Sequence, residues 1–362
     1  RVLVLYGDVP LISQASLTHL LERTPEDGVG WLTVTLDHPT GLGRIVRDDD
    51  NNPVAIVEER DASDLQKTIR EINSGICLLP AKHIKQWLPN LNNDNSQHEY
   101  YLTDVFSIAI SQGISIVTVS PISVIEVEGV NDKVQLAELE RAYQTRVAKR
   151  LMLQGLTLRD PARFDLRGEL SFGQDVVVDV NVVFEGCVTL GSNVYIGPNC
   201  VLKNCQIGDN TRIESHSLLD SSEVGVDCTV GPFARLRPNS VMHDQAKVGN
   251  FVEMKKSTLG KGSKASHLAY LGDTTIGQKA NIGAGTITCN YDGVNKHQTT
   301  IGDEAFIGSN TSLVAPVDIG EGATIGAGST ISKSAPAKQL TVARSKQTTL
   351  ANWTRPKKVK SD

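Results

Sequence analysis

A six-residue repeat runs through the second half of this chain and limits the folds open to it. Aliphatic residues recur six positions apart at Ile301, Ile307, Leu313, Ile319, Ile325 and Ile331, and glycine follows four of them. A period this short fits neither ordinary helices nor hairpins. It is typical of a parallel β-helix in which each hexapeptide supplies one short strand and one turn. Three hexapeptides then close one coil, so residues 18 apart in unbroken register lie on adjacent coils, about 4.8 Å apart.

Composition and charge exclude several classes of protein. The net charge of −5 gives no general reason to expect nucleic acid binding, and the basic run at 355–360 is more simply a solvated tail. The six cysteines form no C-x-x-C pair, which favours reduced thiols over a metal site or a disulfide framework. Without a long apolar stretch or a signal peptide, we expect no membrane span and a cytoplasmic location.

Residues 1–131 alternate between strand-like and helix-like segments, which predicts an α/β domain. The apolar run at 2–5 predicts a central strand of a parallel sheet, buried on both faces. Nucleotide-binding domains of this class usually carry a glycine-rich loop after the first strand, and none lies upstream of Asp8. We therefore expect an incomplete Rossmann-like domain that lacks its beginning. The alternative is a small complete domain that opens with an exposed strand.

The rest of the chain divides by pattern into three parts. Residues 132–155 predict a linker helix with an apolar stripe, residues 156–335 predict the β-helix, and residues 336–362 form a tail. The repeat is interrupted after Ile282 by a polar stretch at 288–297. A polar loop that leaves a rigid solenoid is a common place for functional residues.

Three groups of residues have the chemistry of a site. Arg237 and Lys255 are 18 apart, so both cations should lie on adjacent coils, where a phosphate would relieve their repulsion; the alternative is that both extend into solvent. His267 lies at a slip in the repeat and is a candidate general base or a surface residue on a turn. Asp8 follows a strand and is a candidate Mg²⁺ ligand or a turn residue.

Eight motifs in order give the chain a specific resemblance. They are YGDVPL (6–11), PTGLGR (39–44), EINSG (71–75), EVEGVN (126–131), GPFARLRP (231–238), GNFVEMKK (249–256), HLAY (267–270) and NIGAGTITCNYDG (281–293). With them the chain resembles, over essentially all of its length, the bacterial bifunctional N-acetylglucosamine-1-phosphate uridyltransferase/glucosamine-1-phosphate acetyltransferase family.

The resemblance implies a left-handed, trimeric β-helix that moves acetyl from acetyl-CoA to the amine of glucosamine-1-phosphate. It implies that His267 is the general base, with Glu253 as a possible orienting residue. It further implies direct transfer without an acyl-enzyme, and backbone N–H groups that stabilise the oxyanion. The residues that match the acceptor site are Arg237, Lys255, Tyr270, Asn281, Asn290 and Tyr291, and those that match the acetyl-CoA site are Ala284, Ser309, Ala327 and Arg344.

For residues 1–131 the resemblance implies uridyl transfer from UTP to N-acetylglucosamine-1-phosphate, giving UDP-N-acetylglucosamine for cell-wall and lipopolysaccharide precursors. Asp8 and Asn131 match the Mg²⁺ ligands, and the nucleotide-sugar contacts are matched by Tyr6, Gly43, Glu58, Asn73 and Asn131. About a hundred residues of the family's uridyltransferase domain, including its phosphate loop, have no counterpart in this sequence. We therefore expect this chain to lack uridyl transfer. Two other functions remain open, a different hexapeptide acyltransferase and a non-catalytic scaffold subunit.

Overall fold

The computed structural model describes residues 1–358, so the predicted tail and its basic run extend beyond the described residues. The chain forms two compact units, residues 1–143 and the residues from 144 onward. The long helix Lys133–Leu153 contributes to both units. The sequence instead predicts a separate linker segment for this helix, with boundaries after residues 131 and 155. These boundaries stay predictions.

The first unit is an α/β domain whose elements alternate along the chain. Its helices are α1 (Gln14–Arg23), α2 (Asp64–Lys67), α3 (Ala81–Trp87) and α4 (Asp104–Ser111), with 3₁₀ turns at Leu88–Asn90 and Val124–Val127. Its strands are β1 (Val2–Val4), β2 (Val29–Thr35), β3 (Arg44–Arg47), β4 (Pro53–Val57), β5 (Glu71–Leu79) and β6 (Ile116–Val119).

The sheet of this unit is mixed, and the prediction of a parallel sheet with a central first strand was wrong. The strand order is β4-β3-β5-β2-β6, and β1 pairs with the second half of β5. Only β2 and β6 run parallel, whereas β5 is antiparallel to β1, β2 and β3. Val2 and Leu5 are 39% and 46% exposed. An apolar run indicates a strand, but neither its direction nor its place in the sheet.

Helices cover both faces of this sheet, as an α/β fold requires. Trp31 points to one face, where it meets Phe106 of α4 edge-on with 5.6 Å between the ring centroids. Leu32, the next residue, points to the opposite face and packs with Leu20 of α1. Successive strand residues therefore feed two separate apolar clusters.

The second unit is a parallel β-solenoid with three faces. The first face stacks eleven strands, Thr157–Leu158, Val177–Val178, Tyr195–Ile196, Arg212–Ile213, Thr229–Val230, Lys247–Asn250, Lys264–His267, Asn281–Ile282, Phe306–Ile307, Thr324–Ile325 and Leu340–Thr341. The long strands Phe164–Phe172 and Val182–Leu190 open both other faces, after a 3₁₀ turn at Pro161–Arg163.

The other two faces continue from these long strands. The second face adds Val201–Lys203, Leu218–Asp220, Arg235–Leu236, Glu253–Lys255, Tyr270–Gly272, Ile287–Cys289, Ser312–Val314 and Thr330–Ile331. The third face adds Gln206–Ile207, Ser222–Val224, Ser240–Met242, Thr258–Leu259, Thr274–Ile276, Thr299–Ile301 and Val317–Ile319.

The hexapeptide aliphatics fill the interior of the solenoid, as the repeat predicts. Ile301, Ile307 and Ile325 are each at most 1% exposed. The ladder extends past residue 335, because Ile325 pairs with Thr341. The coils are not uniform in length: Leu236 pairs with Met254, three full hexapeptides further along, but Met254 pairs with Leu271, which falls one position short of that spacing.

The helix Lys133–Leu153 closes one end of the solenoid core. Val147 and Leu151 belong to the same apolar cluster as Phe164. The side chain of Gln144 accepts from the backbone N–H of Leu166 at 2.9 Å and donates to its carbonyl at 3.1 Å, so it pairs the edge of the first coil. None of the helices within residues 1–358 has the length and apolarity needed to cross a bilayer.

Candidate active site

His267 lies at the corner where the chain leaves the first face of the solenoid for the second. It ends the strand Lys264–His267 and pairs in register with Asn250 on the preceding coil. The Nδ1 atom of His267 is 2.8 Å from Oδ1 of Asn250, and the imidazole is exposed. With the amide oxygen as acceptor, Nδ1 carries the proton and Nε2 keeps its lone pair. The solvent-facing nitrogen can therefore take a proton.

Arg237 and Lys255 lie on adjacent coils of the second face, at the position that their spacing in the sequence predicts. Arg237 donates through Nη1 to Oε1 of Glu253 at 2.8 Å, and the side chains of this ion pair are about one-third exposed. Glu253, suggested as a possible orienting residue for His267, binds Arg237 in this chain, and Asn250 contacts the imidazole. Glu253 therefore holds the guanidinium at the edge of the second face.

A third cation, Lys296, joins this pair from the loop that follows the second-face strand Ile287–Cys289. The ammonium group of Lys296 is the main cause that lowers the pKa of Lys255, followed by burial and then by the guanidinium of Arg237. Sequence reasoning missed Lys296, although it is the cation in the polar insertion that breaks the repeat. Three cations this close favour a multiply charged anion such as a phosphate.

Tyr270 and Asn290 meet above Gly272 on the next coil of the second face. Tyr270 pairs in register with Glu253, and Gly272 with Lys255. A Cβ atom on Gly272 would lie 2.5 Å from the Tyr270 hydroxyl and 2.8 Å from Nδ2 of Asn290. The structure thus brings two predicted acceptor-site residues together next to the cations.

Two other predicted acceptor-site residues lie apart from this group within one chain. Asn281 starts a first-face strand and pairs with Lys264, so it is displaced along the strand from the position opposite His267. Tyr291 is 60% exposed in the loop, and its hydroxyl donates to the carbonyl of Gly293 at 2.5 Å.

Three of the predicted acetyl-CoA residues form one column with His267. Each immediately precedes a residue of positive φ at the same corner: Leu268 (48°), Gly285 (76°), Asn310 (55°) and Gly328 (70°). The column members on successive coils are His267, Ala284, Ser309 and Ala327, and backbone bonds join the last three through Asn310 N–H to Ala284 O and Gly328 N–H to Ser309 O. At about 4.8 Å per coil, Ala327 lies roughly 14 Å from His267.

Arg344 completes this column at its far end. Its Nη1 donates to the carbonyl of Ala327 at 2.8 Å, and the side chain is exposed. A cation here suits the phosphates of a long acyl carrier that runs along the column.

In the α/β unit, several predicted nucleotide-sugar residues converge at the start of β5. A Cβ atom on Gly43 would lie 3.1 Å from both carboxylate oxygens of Glu58, and the Asn73 N–H donates to Gly43 O at 2.9 Å. Trp31, which sequence reasoning missed, donates its indole N–H to Oδ1 of Asn73 at 2.5 Å. The ring of Tyr6 lies against Gly75, and burial is the main cause that raises the pKa of Tyr6 and of Glu58.

Asp8 and Asn131 lie near each other in the same unit. The Val130 N–H donates to the Asp8 carbonyl at 2.9 Å, and a Cβ atom on Gly129 would lie 3.5 Å from Oδ2 of Asp8. A carboxylate and an amide oxygen fit a Mg²⁺ ion that takes its other ligands from phosphates and water. Within residues 1–358, no group of three or more His, Cys, Asp or Glu side chains is arranged to hold a metal.

Known proteins match both the repeat and the whole chain. The family descriptions that match are the GMPPB C-terminal domain, over residues 166–249, and the bacterial transferase hexapeptide (six repeats), over residues 298–333. The bifunctional protein GlmU of Pseudoalteromonas atlantica is 58% identical over 357 residues, which cover 99% of this chain and 79% of that protein. The chain belongs to the GlmU family.

A second GlmU, from Marinobacter nauticus, is 53% identical over 358 residues with the same coverage of both chains. The family predicted from the ordered motifs is therefore confirmed, and the chain is an enzyme of that family. Among solved structures, the polysialic acid acetyltransferase NeuO covers 57% of this chain at 19% identity and a TM-score of 0.21. LpxA from Acinetobacter baumannii covers 48% at 16% identity and a TM-score of 0.26.

Proposed function

We propose that the solenoid transfers acetyl from acetyl-CoA to the amine of glucosamine-1-phosphate. The observation that carries this proposal is the corner column, which aligns an exposed imidazole with three small residues on the next three coils. A long, extended acyl donor can lie along such a column with its thioester at the imidazole. The three cations on the second face supply a place for the phosphate of the acceptor.

In this mechanism Nε2 of His267 removes a proton from the sugar amine as the nitrogen attacks the thioester carbonyl. The tetrahedral intermediate collapses to the amide with loss of the CoA thiolate, and the imidazolium returns its proton to that sulfur. Asn250 keeps the imidazole in the required tautomer. Arg237, Lys255 and Lys296 bind the phosphate, while Tyr270 and Asn290 contact the sugar.

Acetyl-CoA would extend from His267 past Ala284 and Ser309 to Ala327, with Arg344 toward its phosphates. Asn281 and Tyr291 lie apart from this group in one chain. A homotrimer in which neighbouring subunits share the acetyl-CoA site would give both residues a role in the acetyl pocket. Light scattering of the purified protein tests the trimer.

For the α/β unit, we propose that Gly43, Glu58 and Asn73 contact the N-acetylglucosamine moiety of the nucleotide sugar. Tyr6 and Asn131 would also contact the nucleotide sugar. Asp8 and Asn131 would hold Mg²⁺, which neutralises phosphate charge when it is bound. The absence of uridyl transfer and the cytoplasmic location stay predictions. Pyrophosphate release from UTP and N-acetylglucosamine-1-phosphate measures the first of them.

The acetyl transfer is tested by the release of CoA thiol from acetyl-CoA with glucosamine-1-phosphate. His267→Ala should lower kcat at least about a hundred-fold. His243→Ala, a change of another exposed solenoid histidine, should leave kcat unchanged. If glucosamine without phosphate reacted equally well, the phosphate site would be wrong. No activity in the folded wild-type protein would favour the scaffold function.

A further inference from the structure

The loop that carries Lys296 is a small, internally bonded hairpin. Its turn is organised by Asp292, whose carboxylate accepts from the N–H groups of Val294 at 2.8 Å and Asn295 at 2.6 Å. The same carboxylate accepts from Nε2 of His297 at 2.7 Å, through its second oxygen. Because these contacts bridge the two sides of the loop, they fix the direction in which residue 296 leaves the turn.

The hairpin is closed and tied to the solenoid at its base. The N–H of His297 donates to Asn290 O at 2.8 Å, and Nδ2 of Asn290 donates to Oδ2 of Asp273 at 2.5 Å. Asp273 belongs to the coil next to Lys255, because its N–H donates to Lys255 O at 3.0 Å. Its carbonyl accepts from Thr299 N–H at 3.1 Å, just after the loop ends. Asp273 therefore binds both ends of the loop.

These contacts oppose a repulsion that the loop itself creates. Lys296 lies close enough to Lys255 to lower its pKa, and two like charges at the surface separate when nothing holds them. Lys296 is exposed, and its long side chain gains rotamer freedom in solvent. His297 is the neighbouring residue along the chain, and its bond to Asp292 restrains the backbone that carries Lys296.

We propose that Asp292 and His297 are positioning residues that hold Lys296 in the phosphate site, with Asp273 as their anchor on the solenoid. This inference rests on the proposed acetyl transfer. The pair sets how tightly the acceptor phosphate binds and takes no part in proton transfer at His267. Loss of the pair should weaken the binding of glucosamine-1-phosphate and of inorganic phosphate, and it should leave the binding of acetyl-CoA unchanged.

The kinetic test is a mutant cycle. His297→Ala should raise KM for glucosamine-1-phosphate about ten-fold, the effect of a lost charge-assisted contact, with kcat and KM for acetyl-CoA within two-fold of wild type. In a Lys296→Ala background, His297→Ala should add less than two-fold. His297→Gln keeps a donor for Asp292 and should restore most of the affinity. An equal loss from His297→Ala in both backgrounds would overturn the positioning role.

A binding measurement separates this inference from the function on which it rests. Calorimetric titration with inorganic phosphate needs no turnover and can be made on wild type, His297→Ala and the control His243→Ala. Weaker phosphate binding in His297→Ala alone supports the positioning pair even if acetyl transfer fails. Equal phosphate binding in all three proteins overturns the pair, whether or not the wild type is active.

Discussion

Asn250 and His267 face each other across adjacent coils, with 2.8 Å between the amide Oδ1 and the imidazole Nδ1. Replacement of Asn250 by leucine removes this acceptor and releases the tautomer, so we expect kcat/KM at neutral pH to fall roughly ten-fold. Asn250→Asp supplies a carboxylate that stabilises the imidazolium. The acid limb of its kcat/KM profile should therefore move to higher pH. Superimposable profiles for wild type and Asn250→Asp would rule out this role of Asn250.

The close approach of Tyr270 and Asn290 over Gly272 makes that glycine sensitive to substitution. The Cβ of Gly272→Ala would lie 2.5 Å from the tyrosine hydroxyl, so one side chain must move. We expect KM for glucosamine-1-phosphate to rise about ten-fold with little change in the melting temperature. The control is the Tyr270→Ala background, which removes both the hydroxyl at 2.5 Å and the ring carbon Cζ at 2.7 Å from that Cβ, so Gly272→Ala should cost less there. If the alanine cost were the same there, the contact would not be responsible.

Phosphate binding should be coupled to protonation of Lys255. The pKa of Lys255 is lowered, first by Lys296, so above that pKa part of the free protein has a neutral lysine. A bound dianion favours the ammonium form, and binding therefore takes up protons and weakens as pH rises through this range. Above about pH 8, where a phosphate monoester no longer titrates, calorimetry at a series of pH values in two buffers of different ionisation enthalpy measures this uptake.

The matched variant for this measurement is Lys296→Ala, which removes the largest cause of the lowered pKa. It should reduce proton uptake and also weaken binding. Proton uptake equal to that of the wild type would contradict the assignment of Lys296 to the site.

Arg344 donates to the carbonyl of Ala327, three coils from the general base His267. A change of Arg344 should therefore affect only the binding of acetyl-CoA. Arg344→Ala removes a cation from the far end of the column, and we expect KM for acetyl-CoA to rise about ten-fold. Neither kcat nor KM for glucosamine-1-phosphate should change beyond two-fold. Arg344→Lys keeps the charge, and its KM for acetyl-CoA should lie between those of the wild type and Arg344→Ala. A large loss of kcat would place Arg344 nearer the reacting atoms than the column allows.

The sequence allowed the solenoid and the cation pair to be predicted because both follow from one period. Ile307 and Ile325 are buried as the repeat requires, and Leu236 pairs with Met254, at the spacing that three hexapeptides give. The partner of His267 could not be predicted in this way. Strict periodicity would place Gly249 below it, but the coil is shorter by a single position and brings Asn250 there.

Two other features depend on contacts that no period encodes. Lys296 lies outside the repeat, and its position depends on the bonds within its hairpin. An apolar first strand fits a central or an edge position equally well. The sequence therefore could not show that this strand pairs with β5 and with no second strand within residues 1–358. In both cases the deciding interactions join residues with no fixed spacing.

Residues along the corner column are separated by whole coils of the solenoid. The rise of each coil is set by strand-to-strand hydrogen bonds, so it does not depend on the number of residues that the coil spends at its corners. The chain uses three hexapeptides from Ser309 to Ala327 and a longer segment from Ala284 to Ser309, yet each pair is one coil apart. The additional residues form the Lys296 hairpin, which projects from the side of the solenoid. Acceptor recognition can therefore vary through that hairpin while the distance from base to donor phosphates stays constant, and that distance can change only by an entire coil.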